Sequence, residues 1–328
     1  MTESAVTITA REQAALLPVE PPGPLGPNEV RGPTIASLVS PGTELSWSYG
    51  GAGVEFPSSP GYAAVFRAEE VGGDVTGIDP GTCLLCMGPH RSFQHVEMEH
   101  VVPVPSGLAP TDAVLARLMG VTLTTLMTTK ARPGDIVLIT GAGPVGYLCA
   151  HLFRNSGYDV HIADPDGNRQ RIAKASGIES VSASVPELST IQEQVALAID
   201  CSGNEQAVLD GARAVRKGGE VVLVGVPWKP RTELTAHELL DAVFKKYLIL
   251  RSGWEWELPL HASNFRPHSI MDSFRLALRW LGEGRIPSDG LITLHSPKDA
   301  QAVYQSLLQG KAQGLFQVFD WQNLNGEQ

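Results

Sequence analysis

The apolar run Ile136-Val-Leu-Ile-Thr140 passes without a break into Gly141-Ala-Gly143-Pro144-Val145-Gly146, and the last glycine opens a segment, GYLCAHLFRNSG, with helical apolar spacing. A glycine turn wedged between a buried strand and a helix leaves few folds open. Gly141 permits the tight turn, Gly143 lets the backbone approach a pyrophosphate, and Gly146 lets helix and strand pack closely. First-turn amides and the positive end of the helix dipole then hold phosphates. Eighteen residues after Gly146, beyond the strand DVHIA, stands Asp164, whose carboxylate can accept hydrogen bonds from both adenosine ribose hydroxyls. That carboxylate would repel a 2′-phosphate and Asp166 adds to the repulsion, so the pattern points to NAD as the cofactor ahead of NADP. The bland alternative is an ordinary turn with Asp164 capping the next helix.

The alternation continues along the chain. Strands are expected at 136–140, 159–163, 196–200, 220–225 and 247–251, mostly as continuous apolar runs that suit a parallel sheet buried on both faces. Helices are expected at about 144–156, 167–176, 204–215 and 236–246, and one long helix at TDAVLARLMGVTLTTLMTTKA leads into the series. The fold class is therefore α/β, a Rossmann doubly wound parallel sheet over residues 118–255. Upstream the texture differs. Fourteen of the 24 prolines fall within residues 1–112, where short runs such as TIASLV and QHVEMEHVV read as strands between breaks. Residues 1–117 thus form a β-rich domain, completed by 256–328, whose one good amphipathic helix, SIMDSFRLALRWL, is too little to fold alone. A chain of 328 residues suits two such domains.

With 25 Lys+Arg against 35 Asp+Glu, the chain lacks the basic surplus that binding to a phosphate backbone draws on, so nucleic acid is not an expected partner. No apolar run approaches the roughly 18 residues of a membrane span, and the N-terminus has neither a basic start nor an unbroken apolar stretch. Cys83, Cys86, Cys149 and Cys201 are too few for a disulfide framework, and thiols fit a reducing, cytoplasmic setting.

The segment from Arg132 to Gly225, with RPGDIVLITGAGPVG, ADPDGNRQRIAKASG, AIDCSG and KGGEVVLVG, resembles the cofactor domain of the medium-chain dehydrogenase/reductase superfamily. SLVSPGTELSWSYG, PSSPGYAAVFRAEEVG and VVPVPSGLAP follow the order of that superfamily's GroES-like catalytic domain, so the likeness covers nearly the whole chain. It implies cofactor contacts from Gly141, Gly143, Pro144, Val145, Gly146, Asp164, Arg169, Cys201, Ser202, Gly225 and Val226. Zinc alcohol dehydrogenases of the superfamily hold their metal with a Cys, a His and a further Cys or Glu. The matching places here read Pro41 in Pro41-Gly-Thr43-Glu44, Tyr62 in Gly61-Tyr62-Ala63, and Leu118 or Met119. No catalytic zinc is expected. The SPGTE and PGY wording most resembles the branch containing bacteriochlorophyllide dehydrogenase and related sugar-type dehydrogenases.

Without a Lewis acid, hydroxyl donors must steady the alkoxide that hydride transfer leaves. The resemblance places Thr43 and Tyr62 beside the vacated metal position, making Tyr62 the acid/base candidate, Thr43 a relay and Glu44 a supporting or substrate-hydroxyl contact. For Tyr62, packing against a backbone partner is the competing reading. Among His90, His95 and His100, His95 is the one picked to line the site; a zinc reading of these with Cys83 and Cys86 is disfavoured because TCLLCM is apolar. Trp254, Glu255 and Trp256 lie where the superfamily's chain passes the nicotinamide and are candidates for a sugar-binding wall, although alternation also permits the two indoles to fill an interface. YLILR is the expected edge strand of a homodimer. The expected activity is NAD(H)-dependent, zinc-independent hydride transfer to or from a secondary alcohol or ketone of a small, polyhydroxylated substrate. Reduction of an activated C=C bond and non-catalytic NAD(H) binding are the alternatives.

Overall fold

The computed structural model describes residues 3–50, 54–322 and 324. The chain divides into two compact units, one of Met1–Arg117, Phe274–Gly284 and Ser288–Gln328, the other of Leu118–Ser273 and Arg285–Pro287. Residues 256–273, expected from the sequence to complete the first domain, group with the second unit.

In the first unit, β1 (Ser4–Ala10) and β2 (Gln13–Pro18) form an antiparallel hairpin. The main sheet is built on β3 (Glu29–Leu38), with β4 (Ala64–Arg67), β5 (Glu70–Val71), β6 (Cys83–Cys86), β7 (Phe93–Glu97) and β8 (Val101–Pro103). Its order is β15-β16-β3-β4-β6-β8, where β15 is Ile292–His295 and β16 is Phe316–Asp320, and β5 and β7 also pair with β3. Short strands between proline breaks are what the sequence pattern requires, and the C-terminal β16 closes the sheet against β3 at Val318↔Leu38. After β3 comes α1 (Pro41–Thr43), which continues into a wide helical turn at Glu44–Ser48. One core gathers Val6, Ile8, Tyr49, Tyr304 and Phe319, and another Phe66, Leu84 and Val101.

The expected long helix at 111–131 is two pieces, α2 (Pro110–Ala113) and α3 (Ala116–Thr128). The second unit then alternates β9 (Ile136–Thr140), α4 (Pro144–Asn155), β10 (Asp159–Ala163), α5 (Gly167–Ala175), β11 (Ser180–Ser182), β12 (Val195–Asp200), α6 (Glu205–Ala214), β13 (Val215–Leu223), α7 (Ala236–Lys246) and β14 (Ile249–Ser252). All five expected strands are present. The sixth, β11, carries Ser-Val-Ser and no apolar run to announce it. Sheet order is β11-β10-β9-β12-β13-β14, every pair parallel, so the direction of winding reverses between β9 and β12. Val137, Ile139, Leu197, Ile199 and Val222 are fully buried, each contributing roughly 1.5–3 kcal/mol of apolar burial. Tyr247 adopts φ 54° at the end of α7, so β14 begins two residues later than the run YLILR suggests. The remaining helices are α8 (Ile270–Gly282) and α9 (Ala300–Leu308). No helix among the described residues is long and apolar enough to cross a membrane.

Candidate functional site

Register sets the geometry of the second unit. Thr140 pairs with Ala163 and Asp200, and Leu223 pairs with Asp200 and Ser252, so the carboxyl ends of five strands lie in one row. The segments that follow them, 141–146, 164–166, 201–204, 224–226 and 253–256, therefore emerge along one edge. Gly141 has φ +89°, and a Cβ on Gly146 would lie 1.7 Å from the Gly141 carbonyl oxygen, so the turn closes only with glycine there. Gly143 is the N-cap of α4 and Pro144 its first residue, where no N–H is lost. Space beside Gly143 is open, with the Arg169 Nη1 3.8 Å from an added Cβ. First-turn N–H groups without intrahelical partners and a glycine cradle fit a dinucleotide pyrophosphate.

Asp164 is 2% exposed, and its two carboxylate oxygens accept from the N–H of Ala142 at 2.7 Å and of Asp166 at 2.8 Å. The Arg169 guanidinium stands 3.5 Å from the Asp164 Oδ2. The cap of α5 is Asp166, which takes the N–H groups of Asn168 and Arg169, so Asp164 is not the helix cap. Its charge instead ties the tip of β10 to the glycine turn. Asp200 does the same for the next loop, accepting from Thr140 Oγ1 at 2.7 Å, from Ser202 Oγ and from the Gly203 N–H at 2.9 Å. Ser202 thus turns its hydroxyl to Asp200. The Cys149 sulfur and burial push the Cys201 thiol far up, which makes it a packing group beneath Gly146 rather than a nucleophile. A Cβ on Gly225 would meet the Gly203 nitrogen at 2.4 Å, so the two loops touch by backbone, while Val226 is exposed.

The first unit carries a second arrangement. Ser37 pairs with Ala64, and the Leu38 N–H donates to the Ala63 carbonyl, so the pairing of β3 with β4 brings Ser40, just after β3, beside Tyr62, just before β4. Gly61 has φ +94° and leaves no room for a Cβ over the His90 ring, which is 2.7 Å from that position. The Tyr62 hydroxyl donates to Ser40 Oγ and lies 3.5 Å from Thr43 Oγ1. Burial pushes the Tyr62 phenol above the ordinary tyrosine range, and the nearby Arg117 charge pulls against that rise. At neutral pH the phenol is therefore a proton donor.

Glu44 is 1% exposed and fully engaged. Its Oε1 accepts from the Ser40 N–H at 2.7 Å, and its Oε2 from His90 Nε2 at 3.0 Å and from the Tyr304 hydroxyl at 2.5 Å. His90 Nδ1 lies 2.8 Å from Ser37 Oγ, which also accepts from Trp321 Nε1 at 2.8 Å. One assignment satisfies every member: Nε2 of His90 carries the proton and Ser37 donates to Nδ1. The network resembles a Ser-His-carboxylate relay, yet Ser37 and His90 are fully buried, so it braces the Ser40–Tyr62 segment from below. Glu44 consequently does not meet substrate hydroxyls, correcting that part of its expected role.

His95 does not join the cluster. It sits on β7 opposite Arg31 and its Nε2 is 2.7 Å from Glu29 Oε2; the histidine at the centre is His90. Nothing in the sequence separates these two, because the choice depends on which strand of the sheet each joins. Trp254, the N-cap of a short 3-10 turn at Glu255–Glu257, and Trp256 within it are 67% and 54% exposed and not on a strand, so the alternation argument for them does not apply. Glu255, between them in sequence, is buried. Ser40, His90, Arg117 and Tyr304 are the site residues that the sequence pattern does not single out.

Pro41, Tyr62, Leu118 and Met119, the positions that the resemblance matches to zinc ligands, offer no thiolate, imidazole or carboxylate, so these four residues do not suit that metal. Burial pushes the Cys86 thiol up to about 12, in keeping with an apolar packing role. Among the described residues, one group of three potential ligands gathers, Glu97, Glu99 and His100, on the surface.

Residues 115–252 match the family model described as glucose dehydrogenase C-terminus. A curated relative, "Probable D-xylulose reductase A" from Arthroderma otae, is 26% identical over 276 residues, covering 73% of this chain and 72% of that protein. The L-threonine 3-dehydrogenase of Legionella pneumophila (strain Corby) is 33% identical over 102 residues, 29% of this chain and 30% of its own length. Among solved structures, galactitol-1-phosphate dehydrogenase from Escherichia coli superposes with a TM-score of 0.82 at 17% identity, covering 97% of this chain and 99% of that one.

Proposed function

We propose that this chain is a medium-chain dehydrogenase/reductase, an oxidoreductase that moves a hydride between NAD(H) and a secondary alcohol or its ketone, on a small polyhydroxylated substrate and without zinc. The observation that carries the reading is the Gly141–Gly146 turn standing in one row with Asp164 at the tip of the neighbouring strand. A bound dinucleotide supplies or takes the hydride. First-turn amides of α4 hold its pyrophosphate, and Gly146 keeps the turn closed enough to present them. Asp164 accepts one backbone N–H at each oxygen, with Arg169 Nη1 also 3.5 Å from Oδ2, and its remaining lone pairs are assigned to ribose hydroxyls, while its charge disfavours a 2′-phosphate.

Hydride transfer to a carbonyl requires a proton, and Tyr62 is assigned to give it at its phenol oxygen, with Ser40 and Thr43 in reach to pass one back. Zinc independence is supported by the donor set, and the branch resemblance to bacteriochlorophyllide dehydrogenase agrees with it. A polyhydroxylated substrate is supported by the names of the xylulose and galactitol-1-phosphate relatives and by the exposed indoles of Trp254 and Trp256, whose faces suit sugar C–H groups. A second copy of the chain is the proposed protein partner, pairing at the edge strand β14, on which Leu250 is exposed; Leu240 and Phe244 on the preceding α7, and Tyr247 just after it, are exposed as well. Four free thiols accord with the cytoplasm as its setting.

Incubating the chain with NADH or NADPH and a panel of ketoses, cyclic ketones and enones tests the reading. NADH-driven ketone reduction is the expected result. NADPH-driven enone reduction would make it a C=C reductase, and tight NADH binding with no oxidation across the panel would make it a non-catalytic binder.

A further inference from the structure

Arg117 breaks two local rules at once. It is the second residue of α3, where the positive end of the helix dipole opposes a cation, and it is 3% exposed at the start of an otherwise uncharged run, ARLMGVTLTTLMT. A buried charge in an unfavourable place marks a functional candidate when it has a specific partner. One such partner is Tyr62. The Arg117 guanidinium carbon lies 4.6 Å from the Tyr62 ring centroid and 5.5 Å from that of Phe274, and Arg117 Nε donates to the Tyr62 carbonyl at 3.1 Å. The side chain is thus fixed to the backbone of Tyr62 and stacked on its ring.

Resting on the hydride-transfer reading above, we propose that Arg117 is the fixed positive charge of this centre, a positioning residue that holds Tyr62 and stabilises negative charge on its phenol oxygen in place of a divalent ion. The disagreement between the metal-ligand positions and their occupants then has a physical account: where the zinc enzymes use a cation held by side chains, this chain uses a side chain that is itself the cation. Glu44 is a second charged group facing Tyr62 and acts in the opposite sense, but its carboxylate is engaged by the Ser40 N–H, His90 and Tyr304. Ser40 and Thr43 are neutral. An opposite charge this close favours the ionised phenol, and removing it raises the titration midpoint.

The test reads that phenol directly and needs no substrate. The whole chain is labelled with 3-fluorotyrosine, whose phenol is more acidic than that of tyrosine, and followed by fluorine NMR against pH; the Tyr62 signal is the one lost in Tyr62→Phe. Arg117→Met is expected to raise its midpoint by about one pH unit, a tenfold loss of phenolate stabilisation. Arg117→Gln, which keeps a donor for the Tyr62 carbonyl but no charge, is expected to raise it similarly and guards against a methionine variant that does not fold. Circular dichroism and NADH fluorescence titration should match the parent. An unmoved midpoint in a folded neutral variant overturns the proposal, because a purely structural arginine predicts that. Failure of the hydride-transfer reading, seen as absent turnover with every substrate, leaves this titration readable, so the two failures are distinguishable.

Discussion

The glycine turn of the second unit and the hydroxyl cluster of the first are built by opposite means. The turn is made of backbone: its contacts are amides, carbonyls and close approaches that require glycine, all within a strand-turn-helix segment and its sheet neighbours. The cluster is made of side chains drawn from distant parts of the chain, with Ser37 meeting Trp321 and Glu44 meeting Tyr304 across more than two hundred residues. A backbone site tolerates change in its surroundings but not in its glycines. A side-chain site tolerates neither the loss of a member nor a poor fold of the sheet that assembles it.

That contrast can be broken most sharply at Gly146. Gly146→Val should open the turn at a cost of about 3 kcal/mol, weakening NADH binding by roughly a hundredfold in a fluorescence titration. Near-parental affinity would mean that the turn is not the binding element. Glu44→Ala should do the reverse. Removing one member of a buried, fully bonded network costs about 3 kcal/mol, a fall of roughly 10 °C in melting temperature, while NADH affinity stays unchanged. An unaltered melting curve would contradict the bracing role. Tyr62→Phe should lower turnover at least about tenfold, about 1.4 kcal/mol, without changing NADH affinity; full turnover would reduce Tyr62 to packing. Asp164→Ser should cut the preference for NADH over NADPH by about tenfold, and unchanged discrimination would remove the argument for NAD(H). Least of all, His95→Ala should leave turnover at the parental level, since His95 serves Glu29, whose carboxyl is held low by the Gly26 N–H and by His95.

The same contrast explains which parts of the molecule are legible in the amino-acid sequence. Strands β9, β10, β12 and β13 and the helices between them are announced by apolar runs and turn residues, so the doubly wound sheet and its glycine turn are local information. Strand β11 is three residues without an apolar run and is set by its pairing to β10 through Ile162↔Val181. In the first unit, the choice between His90 and His95 depends on sheet registers that no local pattern encodes. Tyr62 is legible because Gly61 precedes it in a place the resemblance picks out. Arg117 leaves one signal, a lone charge at the head of an apolar helix, which the helical spacing around it obscures.

The proposed chemistry moves protons through side chains and requires no metal. Its most direct test is deuteride transfer from 4-deuterated NADH to a panel of ketoses, using chelator-washed chain whose zinc content is measured in the same sample. Deuterium is expected at the carbinol carbon with zinc far below one equivalent, and its loss is expected in Tyr62→Phe. Transfer that appears only when zinc is restored, and persists in Tyr62→Phe, would contradict it.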